Sequence, residues 1–185
     1  MQIIRHIDDP ALALGGSSVT LGNFDGIHVG HQALIKNAVN DARRLGIRSA
    51  VLTFEPHPLK VLAPERAPRM LLVHKDKMQL LQSLGVDCVV IQQFDRSFAA
   101  IGAEEFVERF LVERLRAKKV WVGKDLRFGK GRAGDIHKLK AWGMQLGFDV
   151  GMVEPVMVCG ERVSSSRIRE SVSYTHLTLP TTPYV

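Results

Sequence analysis

Leu21-Gly22-Asn23-Phe24-Asp25-Gly26-Ile27-His28-Val29-Gly30-His31 is the stretch on which the fold turns. Before it runs Ser18-Val19-Thr20-Leu21, short, apolar and β-branched. After it, residues 33–45 place apolar side chains at helical spacing until Gly46 closes the pattern. A glycine-rich turn between a strand and a helix is the first half of a βαβ unit. The alternation continues outward. Strands are predicted at residues 50–53, 88–91, 120–122 and 149–153. Helices are predicted over 75–84, 103–115, where Phe106, Phe110 and Leu111 share a face, and 135–146. Strands separated by helices of roughly 10–15 residues imply right-handed crossovers and a parallel sheet. The expected class is therefore α/β: a doubly wound, Rossmann-like parallel sheet with helices on both faces.

Composition bounds what such a chain does. It has 185 residues, 45% hydrophobic and 24% charged, with a net charge of +6. Wholesale disorder, collagen and coiled coil are excluded. No run of about 18 apolar residues offers a membrane span, and Met1-Gln2-Ile3-Ile4-Arg5-His6 has no signal-peptide core. The cytoplasm is the expected compartment. Cys88 and Cys159 each sit in an apolar run, so both are expected as buried thiols rather than a disulfide. Residues 171–185 carry no Lys, Arg, Asp or Glu and hold both tyrosines of the chain. They read as foreign to the fold, an assembly scar, with a polar C-terminal extension as the alternative. The expected organisation is one domain over 1–170 followed by this tail.

In doubly wound sheets ligands sit at the carboxyl ends of the strands. Four loops fall there. The first, residues 22–30, has glycines that let backbone approach a ligand. His28 within it and His31 just after it share one face of a helix start, where free N–H groups and the dipole attract anions. Phosphate binding is the preferred reading. Two surface histidines or a His-x-x-His metal chelate are the alternatives, the latter short of further ligands. The second, Thr53-Phe54-Glu55-Pro56-His57-Pro58, is a stiff turn: a ligand support, or only a rigid surface feature. The third, residues 123–134, contains a G-x-G-x-x-G that starts too far past the strand to be a dinucleotide fingerprint. It reads better as a mobile basic loop over a polyanion. Residues 114–140 hold ten Lys/Arg and two acids, a local excess of +8 in a chain of +6. The fourth, Val163-Ser164-Ser165-Ser166-Arg167-Ile168-Arg169, is a helix cap or a phosphate clamp of hydroxyls and one guanidinium fork. A P-loop motif is absent.

Taken together, the G-x-F-D-G-x-H-x-G-H turn, Thr53–Pro58, Gly123 to Gly129 and the Ser-Ser-Ser-Arg-Ile-Arg run resemble the HIGH-motif nucleotidyltransferases. More narrowly, they are similar to the FMN adenylyltransferase module of bacterial bifunctional riboflavin kinase/FAD synthetases. Phe94-Asp95-Arg96-Ser97-Phe98-Ala99 and Glu104-Glu105-Phe106 add to the likeness, which covers about residues 1–170. Leu126 stands where that family commonly has Phe, and Ser166 where it commonly has Thr. The resemblance implies a riboflavin kinase module after residue 170, where residues 171–185 stand in place of its expected start.

The resemblance implies ATP + FMN → FAD + pyrophosphate, with the FMN phosphate attacking the α-phosphorus in line. It implies roles for His28, His31 and Arg169 at the triphosphate and transition state. Gly22, Asn23, Phe24, Asp25, Gly30, Ser164, Ser165 and Ser166 would bind ATP. Pro56, His57, Pro58, Asp125 and Phe128 would border the flavin. Mg²⁺ would travel on the ATP phosphates, with no protein-held metal. Other phosphate acceptors within the superfamily are the first rival. A nucleic-acid module built on residues 114–140 is the second, weakened because few aromatics lie among those charges.

Overall fold

The structure is a computed structural model and describes residues 1–158 and 160–177. Cys159 and residues 178–185 lie outside the described residues. Six parallel strands form one sheet: β1 (Gln2–Ile4), β2 (Ser17–Leu21), β3 (Arg48–Glu55), β4 (Cys88–Gln93), β5 (Ala117–Gly123) and β6 (Asp149–Val153), in the order β1-β4-β3-β2-β5-β6. The chain builds outward from β2 to β3 and β4, then crosses to the other side for β5 and β6. Their carboxyl ends therefore part at β2 and β5, the switch point where such sheets bind ligands. Edge strand β1 was not expected. Its three residues are too few to show a period, and its pairing with β4 is a long-range event.

Alternation along the strands explains why both faces are covered. In β3, Ala50 and Leu52 enter one apolar cluster while Val51 enters another; in β4, Cys88 and Val90 part from Val89 and Ile91 in the same way. Helices α1 (Val29–Leu45) and α3 (His74–Ser83) cover one face through Ile35, Val39, Met78 and Leu81. The other face packs on α5 (Ala103–Phe106), its continuation through residues 107–114, and α6 (Ile136–Leu146). The predicted helix over 103–115 is thus present, but from Val107 it winds as a π-helix, Leu115 N–H reaching the Phe110 carbonyl at 3.0 Å.

Three further elements shape the site. They are α2 (Pro58–Leu62), the hairpin β7 (Met157–Val158)/β8 (Glu161–Arg162), and α7 (Ser165–Leu177). A single-turn helix, α4 (Arg96–Ala99), precedes α5. Because α7 runs to Leu177, the boundary expected at residue 170 falls within a helix. Cys88 is fully buried, as its apolar run predicts.

Candidate active site

Two cavities open side by side at the carboxyl ends of the strands, and Leu126 lines both. The smaller, about 290 Å³, lies where two helices begin. His28, Gly30 and His31 come from the start of α1, and Ser164 and Ser165 from the start of α7; Lys124, Asp125, Glu154 and Arg162 complete its polar wall. The larger, about 680 Å³, is walled mainly by Phe54, Phe94, Phe98, Phe106 and Phe128, with Gly22, Asn23, His57 and Pro58 on one side and Arg127 and Arg132 on another.

His28 caps α1, its Nδ1 accepting the His31 backbone N–H at 3.4 Å, which leaves the proton of a neutral ring on Nε2. The two imidazoles stack with centroids 3.7 Å apart, and Phe24 meets His31 edge-on at 5.3 Å. Burial and the Arg162 charge hold His28 below the ordinary histidine range. Burial, followed by the charge of His28, drives His31 down to about 3. Both rings are therefore neutral N–H donors at pH 7 until an anion arrives. The depressed value has a consequence for stability. Between pH 6.5 and about 3 the unfolded chain protonates this histidine and the folded chain does not. Stability at this position is complete above pH 6.5 and is lost as pH falls through that window. Urea midpoints of the wild type are expected to fall between pH 7 and pH 5, and His31→Asn to flatten that slope.

Behind the histidines, Asp25 is buried and fully engaged. Its Oδ1 accepts from Leu71 N–H at 2.9 Å and Leu72 N–H at 3.4 Å, and its Oδ2 from the Arg169 guanidinium. Ser165 Oγ donates to the Asp25 carbonyl at 2.7 Å. Arg169 Nε donates to the Arg69 carbonyl at 2.8 Å. Arg169 and Asp25 thus brace α7 against the first loop, and neither lines a cavity. Phe24 is likewise buried behind the wall. Ser164 serves both its readings, lining the cavity and capping α7 through Arg167 N–H at 3.3 Å. Ser166 is exposed and outside both cavities.

Gly22 and Asn23, expected beside the nucleotide, line the aromatic cavity. Asp125, expected beside the flavin, lines the histidine cavity and pairs with Arg162. Phe128, His57 and Pro58 line the aromatic cavity, with Pro56 exposed outside its wall. His57 Nδ1 accepts from Leu59 N–H at 3.2 Å as the cap of α2, so Nε2 carries the ring proton. Asn23 Nδ2 lies 3.2 Å from His57 Nε2, so with the ring proton on Nε2 the amide must flip to present its oxygen as acceptor. Burial and Arg169 hold this ring below the usual range.

The loop expected to be mobile is pinned. Phe128 and Gly134 exchange backbone hydrogen bonds, Lys130 N–H reaches the Ile101 carbonyl at 2.7 Å, and Gly129, at φ +71°, abuts Ala103 so closely that a Cβ would lie 2.6 Å from its Cα. Its arginines border the aromatic cavity, not the histidine one. Trp121, on β5, is half-buried and donates through Nε1 to Asp41 on α1 at 2.9 Å.

Several residues of the site were not among those expected from sequence, and two polar ones bear most on it: Arg162 and Lys77. Arg162 lies two positions before Ser164, and only the hairpin β7/β8 folds it over the cavity. Lys77, 3% exposed, donates through Nζ to the Asn23 carbonyl at 2.7 Å and Thr53 Oγ1 at 2.8 Å. Burial pushes its ammonium down to about 8, against the pull of Glu55 and Asp25. Its signal was legible: a lysine four positions before Leu81, on the apolar face of its helix.

A sequence model described as FAD synthetase matches residues 12–167. The chain is 39% identical over 180 residues to a bifunctional riboflavin kinase/FMN adenylyltransferase of Escherichia coli K12, and 36% identical over 179 residues to one of Haemophilus influenzae; each alignment covers 97% of this chain and 58% of the relative. The chain thus spans under two thirds of the length of these relatives. A crystal structure titled macrolide-efflux protein, from Streptococcus pneumoniae, superposes with a TM-score of 0.79 at 29% identity, over 92% of this chain and 56% of the other. A pantoate-β-alanine ligase from Francisella tularensis, complexed with β,γ-ATP and β-alanine, shares the fold at a TM-score of 0.57 and 16% identity, over 100% of this chain and 82% of the other. No helix of the described residues is long and apolar enough to cross a membrane.

Proposed function

Because the chain belongs to the FAD synthetase family, we propose that it transfers the adenylyl group of ATP to FMN, giving FAD and pyrophosphate. One observation carries the reading: a cavity rimmed by two helix N-termini and two imidazoles adjoins a larger aromatic cavity through Leu126. The first suits a triphosphate, since helix N-termini and N–H donors attract phosphate. The second suits a planar ring system, which stacks on phenylalanine faces.

An FMN phosphate is already an oxyanion at neutral pH, so no side chain need generate the nucleophile. One of its oxygens bonds to the α-phosphorus, and the bond to the bridging oxygen of pyrophosphate breaks. His28 and His31, as neutral donors, stabilise the charge spread over the α-phosphoryl group, and an arriving anion draws protons onto them. Ser164, Ser165 and the α7 amides hold the leaving phosphates. Arg162 is placed to exchange Asp125 for a phosphate. Arg169 acts at one remove, through Asp25 and the seat of α7. Arg127 and Arg132 are placed to receive the phosphate end of the flavin nucleotide. Mg²⁺ would arrive on ATP and screen its charge. The described residues offer no cluster of three or more metal-ligating side chains, and Mg²⁺ readily keeps waters and phosphate oxygens as ligands.

The test is FAD formation from FMN, ATP and Mg²⁺, separated chromatographically and read by fluorescence, with nicotinamide mononucleotide, phosphopantetheine and glycerol phosphate as competing acceptors. FAD is expected as the main product. No FAD, or faster transfer to another acceptor, overturns the reading.

A further inference from the structure

We infer that Lys77 is a positioning residue for adenylyl transfer: from beneath the site it holds the turn at residues 22–25, and through Asn23 it holds the His57 turn. The inference rests on the reaction proposed above. The connection is continuous. Lys77 Nζ, on α3, donates to the Asn23 carbonyl at 2.7 Å and to Thr53 Oγ1, on β3, at 2.8 Å. Thr53 Oγ1 also reaches the Asn23 carbonyl, at 3.3 Å. The Asn23 amide meets His57 Nε2 at 3.2 Å, and His57 Nδ1 caps α2. Helix α3, strand β3 and the turn at residues 22–25 meet on one ammonium group, and the His57 turn joins them through Asn23.

The turn it grips lines one cavity and backs the other. Gly22 and Asn23 line the aromatic one. Phe24 packs on His31, and Asp25 anchors Ser165, so the other half of the turn backs the histidine cavity. A shift at Asn23 would alter where the acceptor phosphate lies relative to the imidazoles. Reaction rate is steep in that geometry, an ångström costing about 10²-fold.

A buried lysine is also a poor choice for stability alone. Lysine is almost never fully buried unless paired, and well-packed apolar replacements of buried charge are often neutral or stabilising. Asp25 keeps Arg169 as its ion-pair partner without Lys77. Function and stability should therefore separate in Lys77→Met.

Steady-state FAD synthesis and ring ¹⁵N–¹H spectra of His57 are compared for wild type, Lys77→Met and Thr53→Val. In Lys77→Met, kcat per folded molecule is expected to fall about 10²-fold, with the KM for ATP within a few-fold of wild type and the His57 ring resonances displaced. Thr53→Val keeps the lysine, removes the bridging hydroxyl, and is expected to show the same displacement with about a tenfold loss in kcat; it carries the test if Lys77→Met does not fold. A lysine of purely structural use would lower the melting temperature and leave kcat per folded molecule unchanged, and that result overturns the inference. A wild type that makes no FAD overturns the proposed function and this inference with it. A wild type that makes FAD beside variants of unchanged kcat overturns this inference alone.

Discussion

His28→Ala and His31→Ala are each expected to lower kcat for FAD synthesis by about 10²–10³-fold, the usual consequence of removing one donor aimed at developing charge. Both rings line the cavity at the start of α1 and neither belongs to the apolar clusters, so far-ultraviolet circular dichroism should be unchanged. The two variants should differ in secondary effects. His28 supplies the cap of α1, and its loss is expected to cost about 1 kcal/mol of stability. His31 titrates far below neutrality, so its loss removes a donor without removing a resident charge. Activity within about threefold of wild type in either variant would exclude that imidazole from the transition state.

Asp25→Ala is expected to be the most destabilising change at the site. It removes the acceptor of two backbone N–H groups and leaves the Arg169 guanidinium without its buried carboxylate. Breaking a buried pair by deleting one partner typically costs about 3–5 kcal/mol, which for a chain of this length corresponds to roughly 10 °C in melting temperature. The exposed surface here offers no such effect, since exposed pairs such as Lys124–Glu154 contribute about 1 kcal/mol at most. A double-mutant cycle of Asp25→Ala with Arg169→Met isolates the pair. Coupling below about 0.5 kcal/mol would mean that the brace between α7 and the first loop is not electrostatic. Activity should fall with stability in these variants because Ser165 and Ser164 sit on the helix that the brace seats.

Which parts of this were legible along the chain follows from the range of the forces involved. The strand at residues 149–153 and the starts of β4 and α5 are set by local pattern, and they were readable as such. The π-helical winding after Val107 was not, because it is a choice of hydrogen-bond register that apolar spacing leaves open. The basic loop at 123–134 reads as mobile from its glycines. Yet Gly129 is there so that the backbone can press against Ala103, a partner that spacing does not reveal.

The sequence by itself determined the sheet class, the four loops at the carboxyl ends of the strands and the family, because hydrophobic period, turn chemistry and the HIGH-type motif are written in neighbouring residues. Only the tertiary structure decided which cavity each loop residue faces. It turned Asn23 toward the aromatic side and Asp125 toward the histidines, engaged Arg169 with a buried carboxylate, and set Lys77 beneath Asn23. Those assignments are made by contacts between residues up to 144 positions apart, and a buried charge goes where its partners are, whatever its place in the chain.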